Sequence, residues 1–149
     1  MKRTFLATVL SIVFAMVAVA CHSSDEKEIG YAELPVQSQQ FVKQYFPSAT
    51  YSHVEKEKDH GKWEYEVLLS DGTKIDFNNK GEWKCVDCKY STLPAGIIPD
   101  AIVADIAQRY PSQQPYKIEK ETRGYEIDIP GFDLYYSSNG KFIRAEIDR

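Results

Sequence analysis

A pair of cysteines is the first candidate for chemistry in this chain. Cys85 and Cys88 are separated by two residues, the spacing of dithiol oxidoreductases whose first thiol lies at a helix N-terminus, where its pKa is lowered. Here the surrounding residues predict a late strand that enters a loop, with Cys85 directed outward and Cys88 inward. We therefore expect no catalytic dithiol, whereas a structural disulfide, which requires a bend near Asp87, stays open.

A metal site is the second candidate, and its ligands are too few. A zinc ion held by Cys85 and Cys88 needs two more soft ligands. The three histidines, His22, His53 and His60, are scattered along the chain. No acidic loop has the spacing that calcium sites require. We expect no metal and no cofactor.

Closely spaced carboxylates are the third candidate. Glu55 and Glu57 recur as Glu119 and Glu121, and two carboxylates can serve a glycosidase as acid and base. That chemistry requires a cleft in which one carboxyl has a raised pKa, whereas carboxylates on an open sheet are expected to stay solvated and unperturbed. The chain also has no nucleophile elbow and no glycine-rich phosphate loop. We expect a protein that is not an enzyme.

Alternating polar and apolar residues place these carboxylates on strands that are buried on one face. In one stretch Tyr65 lies on the buried face and Glu66 on the other, and in a second stretch Tyr125 and Glu126 do the same. Turns that contain glycine separate the strands. Each group of strands follows a helix, predicted from apolar residues four apart and ended by a proline.

The two halves of the chain repeat one another. Phe46-Pro47-Ser48 recurs as Tyr110-Pro111-Ser112 at a shift of 64, and the stretch FNNKGEW recurs as YSSNGKF at a shift of 59. Because the shift shrinks only at loops, we interpret the pattern as a tandem duplication. The predicted fold is α+β: two tandem helix-plus-four-strand repeats, residues 34–89 and 94–149, form a roughly eight-stranded antiparallel sheet with two helices on one face.

The motifs FPSA, SDGT, NNKGEW and VDCKYSTLPAGIIP are similar to those of the β-lactamase-inhibitor-like, PepSY-like family of secreted bacterial proteins. The resemblance covers residues 34–149 and implies the same fold. Within the wider group, the β-lactamase inhibitor grips an enzyme with the sheet face opposite its helices, and PepSY domains are thought to restrain peptidases. The resemblance therefore implies a protein or peptide partner on that open face.

Acidic residues dominate the predicted open face. Trp83 and Tyr135 would serve as aromatic anchors among carboxylates that attract a basic patch or a cation. The alternative is a solvated face without a ligand. The candidate partner-binding residues are Tyr51, His53, Glu55, Glu64, Glu66, Trp83, Glu119, Glu126, Asp128, Tyr135 and Arg144.

The first twenty residues, with a basic start and an apolar run, predict a secretory signal peptide at residues 1–20. Ala18-Val19-Ala20 before Cys21 resembles a bacterial lipobox, although such sites usually carry Leu where Ala18 stands. That resemblance implies a lipid on Cys21. Residues 21–33 are polar and acidic and predict a solvated tether.

The net charge of the chain and its predicted export limit the classes of function that we expect. Loss of Lys2 and Arg3 with the signal peptide changes the formal net charge from −4 to −6, which disfavours nucleic acid as a partner. We expect a monomeric, non-enzymatic binding protein, either a membrane-anchored lipoprotein or a soluble periplasmic or secreted protein. The membrane would be contacted only through the lipid. The alternatives are a structural or housekeeping periplasmic protein without a ligand, or a weak cation-binding surface.

Overall fold

The computed structural model describes residues 26–89 and 91–148. The predicted signal peptide and Cys21 lie outside these residues. Two α-helices, one short 3-10 helix at Tyr31–Glu33 and nine strands make up the described fold. In chain order they are β1 (Lys27–Glu28), α1 (Val36–Tyr45), β2 (Tyr51–Asp59), β3 (Lys62–Leu69), β4 (Lys74–Phe77), β5 (Trp83–Asp87), α2 (Asp100–Arg109), β6 (Lys117–Glu121), β7 (Gly124–Ile129), β8 (Phe132–Ser137) and β9 (Phe142–Ile147).

The strands form one open antiparallel sheet in which each strand pairs with the next along the chain. The sheet has one strand more than the eight predicted. The additional strand, β1, comes from the segment predicted to be a tether. Lys27 and Glu28 pair with β2, and Ile29 is buried in the core with 8% of its surface exposed. A solvated tether is therefore wrong for this part of residues 21–33, because Ile29 gains apolar burial by following β2.

The core lies between the sheet and the two helices. One row of apolar residues crosses strands β2 to β9, with each member opposite the next: Val54, Val67, Ile75, Val86, Ile118, Ile127, Leu134 and Ala145. All but the last are buried, and full burial of such a side chain contributes about 1.5–3 kcal/mol.

Both helices cover this same side of the sheet, which we call the helix face. From α1, the ring of Phe41 packs edge-on against Phe77 of β4, with ring centroids 5.8 Å apart. Below α2, the hydroxyl of Tyr136 in β8 donates a hydrogen bond of 2.9 Å to Asp105. Because Phe77 and Tyr136 each lie two residues beyond a member of the core row, they project to the same side. The predicted α+β class, with both helices on one face, is confirmed.

The N-terminus of α1 lies against the turn between β4 and β5, and the N-terminus of α2 lies against the turn between β8 and β9. At the first turn, Gly81 has φ +84°, and a Cβ there would lie 2.7 Å from Pro35 Cβ. The buried Ser38 hydroxyl donates a hydrogen bond of 3.1 Å to the Gly81 carbonyl. At the second turn, Gly140 has φ +79° and approaches Ala101 in the same way. Glycine is required where backbone and helix come this close with positive φ.

Candidate functional site

One row of polar side chains crosses the sheet on the side away from the helices, which we call the open face. Each member follows or precedes a residue of the core row or, for Glu28, the buried Ile29, so its side chain projects to the opposite side. We call this set the acidic row. Its members lie opposite one another in consecutive strands: Glu28, Glu55, Glu66, Asp76, Cys85, Glu119, Glu126, Tyr135 and Arg144.

Carboxylates in the acidic row lie directly opposite other carboxylates. Glu66 of β3 is flanked by Glu55 on one side and Asp76 on the other, and Glu119 lies opposite Glu126. Like charges in directly opposed positions destabilise a sheet. The arrangement therefore requires cations nearby.

Lysines in neighbouring positions supply part of that compensation. In the first half, Lys74 Nζ lies 2.7 Å from the Glu66 carboxylate and 3.7 Å from Asp76. Lys84 Nζ lies 2.6 Å from Glu64. Both lysine side chains remain partly exposed, so the compensation is weak and can be exchanged for contacts with a ligand.

In the second half, one lysine is shared by three carboxylates. Lys117 Nζ lies 3.1 Å from Asp128, 3.6 Å from Glu126 and 3.7 Å from Glu119. Burial disfavours the charged form of Lys117, but the hydrogen bond to Asp128 and the surrounding negative charges outweigh it, so the pKa of Lys117 is raised. The cluster keeps a net negative charge.

Two aspartates on this face are buried enough to titrate near neutral pH. Burial raises the pKa of Asp128 to about 6, against the opposing effect of Lys117, and one of its oxygens, Oδ1, is buried without a hydrogen-bond partner. Burial likewise raises the pKa of Asp76 to about 6, against the effect of Lys74. The expectation that carboxylates on an open sheet stay unperturbed is wrong at these two positions, because neighbouring side chains exclude water from them.

Cys85 lies at the centre of the acidic row. Burial, followed by the charge of Asp76, raises the pKa of the Cys85 thiol to about 12, so it is protonated and unreactive at neutral pH. Cys88 is buried in the core, and both cysteines are free thiols. The predicted option of a disulfide is not realised, because the strand continues through Asp87 and directs the two thiols to opposite faces.

The ends of the acidic row carry different chemistry. At the β1 end, the His53 ring lies 2.8 Å from Glu55 and 3.7 Å from Glu28, and its hydrogen bond with Glu55 raises the pKa of His53. At the β9 end, the Arg144 guanidinium stacks 3.7 Å from the centre of the Tyr135 ring. Burial and a hydrogen bond to Glu126 raise the pKa of Tyr135 to about 12.

Trp83 lies on the helix face, not on the open face as predicted. A bulge between Asp76 and Phe77 sets Phe77 opposite Trp83, and the Trp83 ring packs 6.0 Å from that of Phe41. A bulge inserts one residue into a strand and so breaks the alternation on which the prediction depended. Strict alternation would place Lys84 on the helix face, but its side chain points to the open face, where it reaches Glu64.

Tyr51 is a second correction of the same kind. A bulge separates the pairing of Tyr51 from that of His53, and the Tyr51 ring stacks on Tyr31 with centroids 4.9 Å apart. Tyr51 thus belongs to the helix side of β2. The structure places the remaining predicted residues on the open face: His53, Glu55, Glu64, Glu66, Glu119, Glu126, Asp128, Tyr135 and Arg144.

The open face is shallow. A depression of about 230 Å³ on this face is lined by Glu66, Asp76, Lys84, Cys85 and Glu119 together with their neighbours. Two larger cavities, each of about 390 Å³, lie elsewhere, and a third, of about 400 Å³, lies at the β9 end of the row with Tyr135 and Arg144 in its lining. Small-molecule sites are usually clefts of about 300–1,000 Å³, so the carboxylate-lined part of the open face suits an extended surface contact better than an enclosed ligand.

Residues 26–89 and 91–148 contain neither a metal-binding cluster nor a membrane-spanning helix. No group of three or more His, Cys, Asp or Glu side chains in this part of the chain could hold a metal ion. No helix there is long and apolar enough to cross a membrane.

Comparisons with solved structures find close matches to the fold. A "putative periplasmic protein" of the DUF2874 family from Bacteroides vulgatus is 32% identical, with a TM-score of 0.79 over 83% of this chain and 98% of its own. A "putative calcium-regulated periplasmic protein" from Bacteroides thetaiotaomicron is also 32% identical, with a TM-score of 0.79 over 82% of this chain and 97% of its own.

A further "putative periplasmic protein of unknown function" from Bacteroides vulgatus is 29% identical, with a TM-score of 0.78 over 81% of this chain and 98% of its own. None of the curated proteins compared with the chain matches it significantly.

The family described as "Putative beta-lactamase-inhibitor-like, PepSY-like" matches residues 63–144, more than half of the chain. This region includes most of the acidic row and both of its lysine-bridged clusters. The match confirms the resemblance inferred from the repeated motifs. The chain belongs to the PepSY-like, β-lactamase-inhibitor-like family, whose solved relatives are described as periplasmic proteins.

Proposed function

We propose that this protein is a non-enzymatic periplasmic binding protein whose acidic row engages a cationic segment of a protein or peptide partner. The observation that carries the proposal is the direct cross-strand opposition of carboxylates, in which Glu66 lies between Glu55 and Asp76. A sheet face selected only for solubility would alternate charges of opposite sign, because opposed like charges are destabilising. Features that lower stability are often retained for a function.

The chemistry of the row indicates the class of partner. Lys74, Lys84 and Lys117 satisfy part of the negative charge, and their flexible side chains can move aside for lysine or arginine groups of a ligand. Arg144 over Tyr135 shows that the row already accommodates a guanidinium stacked on an aromatic ring. Excess negative charge on one face also steers a basic partner and raises its association rate.

The family suggests a more specific form of this function. Its description as β-lactamase-inhibitor-like supports restraint of a secreted hydrolase, with the open face as the gripping surface. The shallow face and the protonated Cys85 thiol favour binding over catalysis. The competing proposal is a structural or housekeeping protein that has no dedicated ligand.

Site-specific photocrosslinking in the cell envelope separates these proposals. A benzophenone side chain is placed at Glu66 or Glu126 on the open face, and, as matched controls, at the exposed helix positions Ala104 and Gln108. Dedicated binding predicts one product that forms only from the open face, and mass spectrometry identifies the crosslinked protein. Equal crosslinking from the helix positions, or none from any position, would contradict a partner on this face.

The affinity of the identified partner then tests the role of charge. Glu66→Gln with Glu126→Gln should weaken binding about thirtyfold or more and flatten its salt dependence, since buried or partly buried charge contacts contribute about 1–3 kcal/mol each. A second pair, Glu33→Gln with Asp100→Asn, removes the same charge from outside the open face. An equal loss of affinity in the two double variants would mean that the partner responds only to the net charge of the protein and not to the acidic row.

A cation is the second candidate ligand. One relative is described as a "putative calcium-regulated periplasmic protein", and the acidic row supplies oxygen ligands of the type that calcium prefers. The lysines inserted among these carboxylates argue against a dedicated site. Calorimetric titration with calcium tests for such a site. Heat of binding at micromolar calcium that disappears in Glu66→Gln would favour calcium as the ligand, and the absence of heat would exclude it.

We also propose that the chain is an exported lipoprotein that acts as a monomer, with residues 1–20 removed and Cys21 acylated. The Ala-Val-Ala-Cys sequence supports this proposal, and intact mass measurement of the mature protein tests it.

A tandem duplication is proposed as the origin of the fold. The matching Gly81 and Gly140 contacts at the two helix N-termini support it, and independent superposition of the two halves is its test.

A further inference from the structure

The tip of the β2–β3 hairpin carries a basic and aromatic surface that the acidic row does not explain. Lys56 lies two residues beyond the core residue Val54, so Lys56 and Lys58 project to the helix face. Trp63 is opposite Lys58, and Lys27 is opposite Lys56. We call these four residues, Lys27, Lys56, Lys58 and Trp63, the basic tip.

The charged groups of this surface gather around the indole. Lys56 Nζ lies 4.9 Å and Lys58 Nζ 5.9 Å from the centre of the Trp63 ring. The indole keeps 37% of its surface exposed. An exposed tryptophan among lysines is the combination found where proteins meet the headgroup region of a bilayer, because the ring is amphipathic and the ammonium groups attract anionic lipids.

The hairpin is placed so that it can reach a flat surface. Strand β4 pairs with β3 only between Tyr65 and Leu68, so the hairpin from Glu57 to Glu64 projects past its neighbour. The turn at its end, with His60 and Gly61 at positive φ, is exposed. A projecting ribbon can contact a membrane without interference from the body of the sheet.

The chain enters the fold beside this tip. Because β1 runs antiparallel to β2 and Lys27 pairs with Lys56, the direction from Lys27 back toward the N-terminus is the direction toward the hairpin turn. Cys21 precedes Lys27 by six residues, a length that spans at most about 20 Å. A lipid on Cys21 would therefore hold the membrane within reach of the basic tip.

We propose that the basic tip docks onto an anionic phospholipid surface and sets the orientation of the protein on the membrane. Strand alternation gives the two sides of the hairpin opposite net charge. Lys56 and Lys58 lie on one side, whereas Glu57, Asp59 and Glu64 lie on the other with a single lysine, Lys62. An anionic surface attracts the first side and repels the second. The docked orientation follows from this asymmetry.

Vesicle binding by a protein that lacks the acyl chain on Cys21 tests whether the basic tip itself binds the membrane. The full chain with Cys21→Ser is exported, purified and sedimented with vesicles of phosphatidylcholine, either alone or mixed with phosphatidylglycerol. We expect binding only to the vesicles that contain phosphatidylglycerol. Lys56→Glu with Lys58→Glu should weaken binding by more than about twentyfold, since each lysine near an anionic surface contributes about fivefold.

A matched charge control uses Lys43→Glu with Lys141→Glu, which changes the net charge equally at exposed positions outside the hairpin. This pair should retain most of the binding. Loss of binding in both pairs to the same extent would show attraction by net charge and overturn the docking surface. Absence of binding to either vesicle would overturn it as well.

Fluorescence quenching locates the contact. The chain has two tryptophans, and Trp83→Phe leaves Trp63 as the reporter, while Trp63→Phe leaves Trp83, which packs against Phe41. Brominated phosphatidylglycerol vesicles should quench and blue-shift Trp63 and leave Trp83 unchanged. Quenching of Trp83 alone would place the membrane elsewhere on the molecule and contradict the proposal.

Discussion

The buried aspartates of the open face predict that the protein becomes more stable as the pH falls from 7.5 to 5.0. Asp76 and Asp128 have folded-state pKa values of about 6, whereas an unfolded aspartate has a pKa of about 3.9. Between these two values the folded protein binds protons that the unfolded chain does not. Protonation therefore favours the folded state. His53, whose pKa is also raised, acts in the same direction.

The size of the stability change follows from the pKa shifts of the two aspartates. A difference of about two pKa units corresponds to at most about 3 kcal/mol per aspartate. Neither side chain is fully buried, with 30% of Asp76 and 10% of Asp128 exposed, and solvent screening reduces this figure. We expect about 1 kcal/mol from each, so the free energy of unfolding should rise by about 2 kcal/mol between pH 7.5 and pH 5.0.

Urea unfolding followed by tryptophan fluorescence measures this directly. Asp76→Asn with Asp128→Asn should be about 1–2 kcal/mol more stable than the wild type at pH 7.5 and should lose most of the pH dependence. Glu121→Gln, an exposed change in the same sheet, should leave the pH dependence intact. A wild type whose stability is flat or falls toward pH 5.0, or a double variant that keeps the full dependence, would refute the burial argument.

Three further predictions concern the positions that support the open face. Lys117→Met should destabilise the protein by about 1–3 kcal/mol at pH 7.5, because Asp128 loses its nearest cation; adding Asp128→Asn should restore most of the loss in urea unfolding. Gly81→Ala should cost about 2 kcal/mol or more because its methyl group would overlap α1, whereas Gly61→Ala, with a similar φ but open space, should cost about 1 kcal/mol; thermal melts compare the two, and equal losses would argue against the α1 contact. Cys85 in the folded protein should react with a thiol reagent at pH 7 at least about a hundredfold more slowly than an unperturbed cysteine; rapid labelling would show that water reaches the centre of the row.

Much of the open face was predictable because side chains alternate without interruption along several of its strands, among them β3 and β7. Glu66 and Glu126 project away from Tyr65 and Tyr125 as expected, since the side-chain period of a strand is two and β3 and β7 contain no bulge. The core side was predictable for the same reason.

The errors arise where a single residue changes the register. Trp83 and Tyr51 lie next to bulges, and the bulge position depends on how two distant strands pair, which the local pattern does not contain. Strand β1 was missed because two residues, Lys27 and Glu28, are too few to show a period. The raised pKa of Asp128 also required the structure, since its neighbours Lys117 and Asp133 come from the two adjacent strands, β6 and β8.

The two charged surfaces act together through the geometry of one hairpin. Strands β2 and β3 contribute Glu55 and Glu66 to the acidic row and Lys56 and Lys58 to the basic tip, so the two surfaces are fixed on opposite sides of the same ribbon. If the tip docks onto an anionic membrane, the acidic row cannot lie against the same surface, because its carboxylates would be repelled. Docking therefore turns the acidic row away from the lipid and presents it to soluble partners. A variant with Lys56→Glu and Lys58→Glu should then lose partner binding on membranes while it keeps partner binding in solution, and equal loss in both settings would mean that the hairpin lysines contact the partner itself.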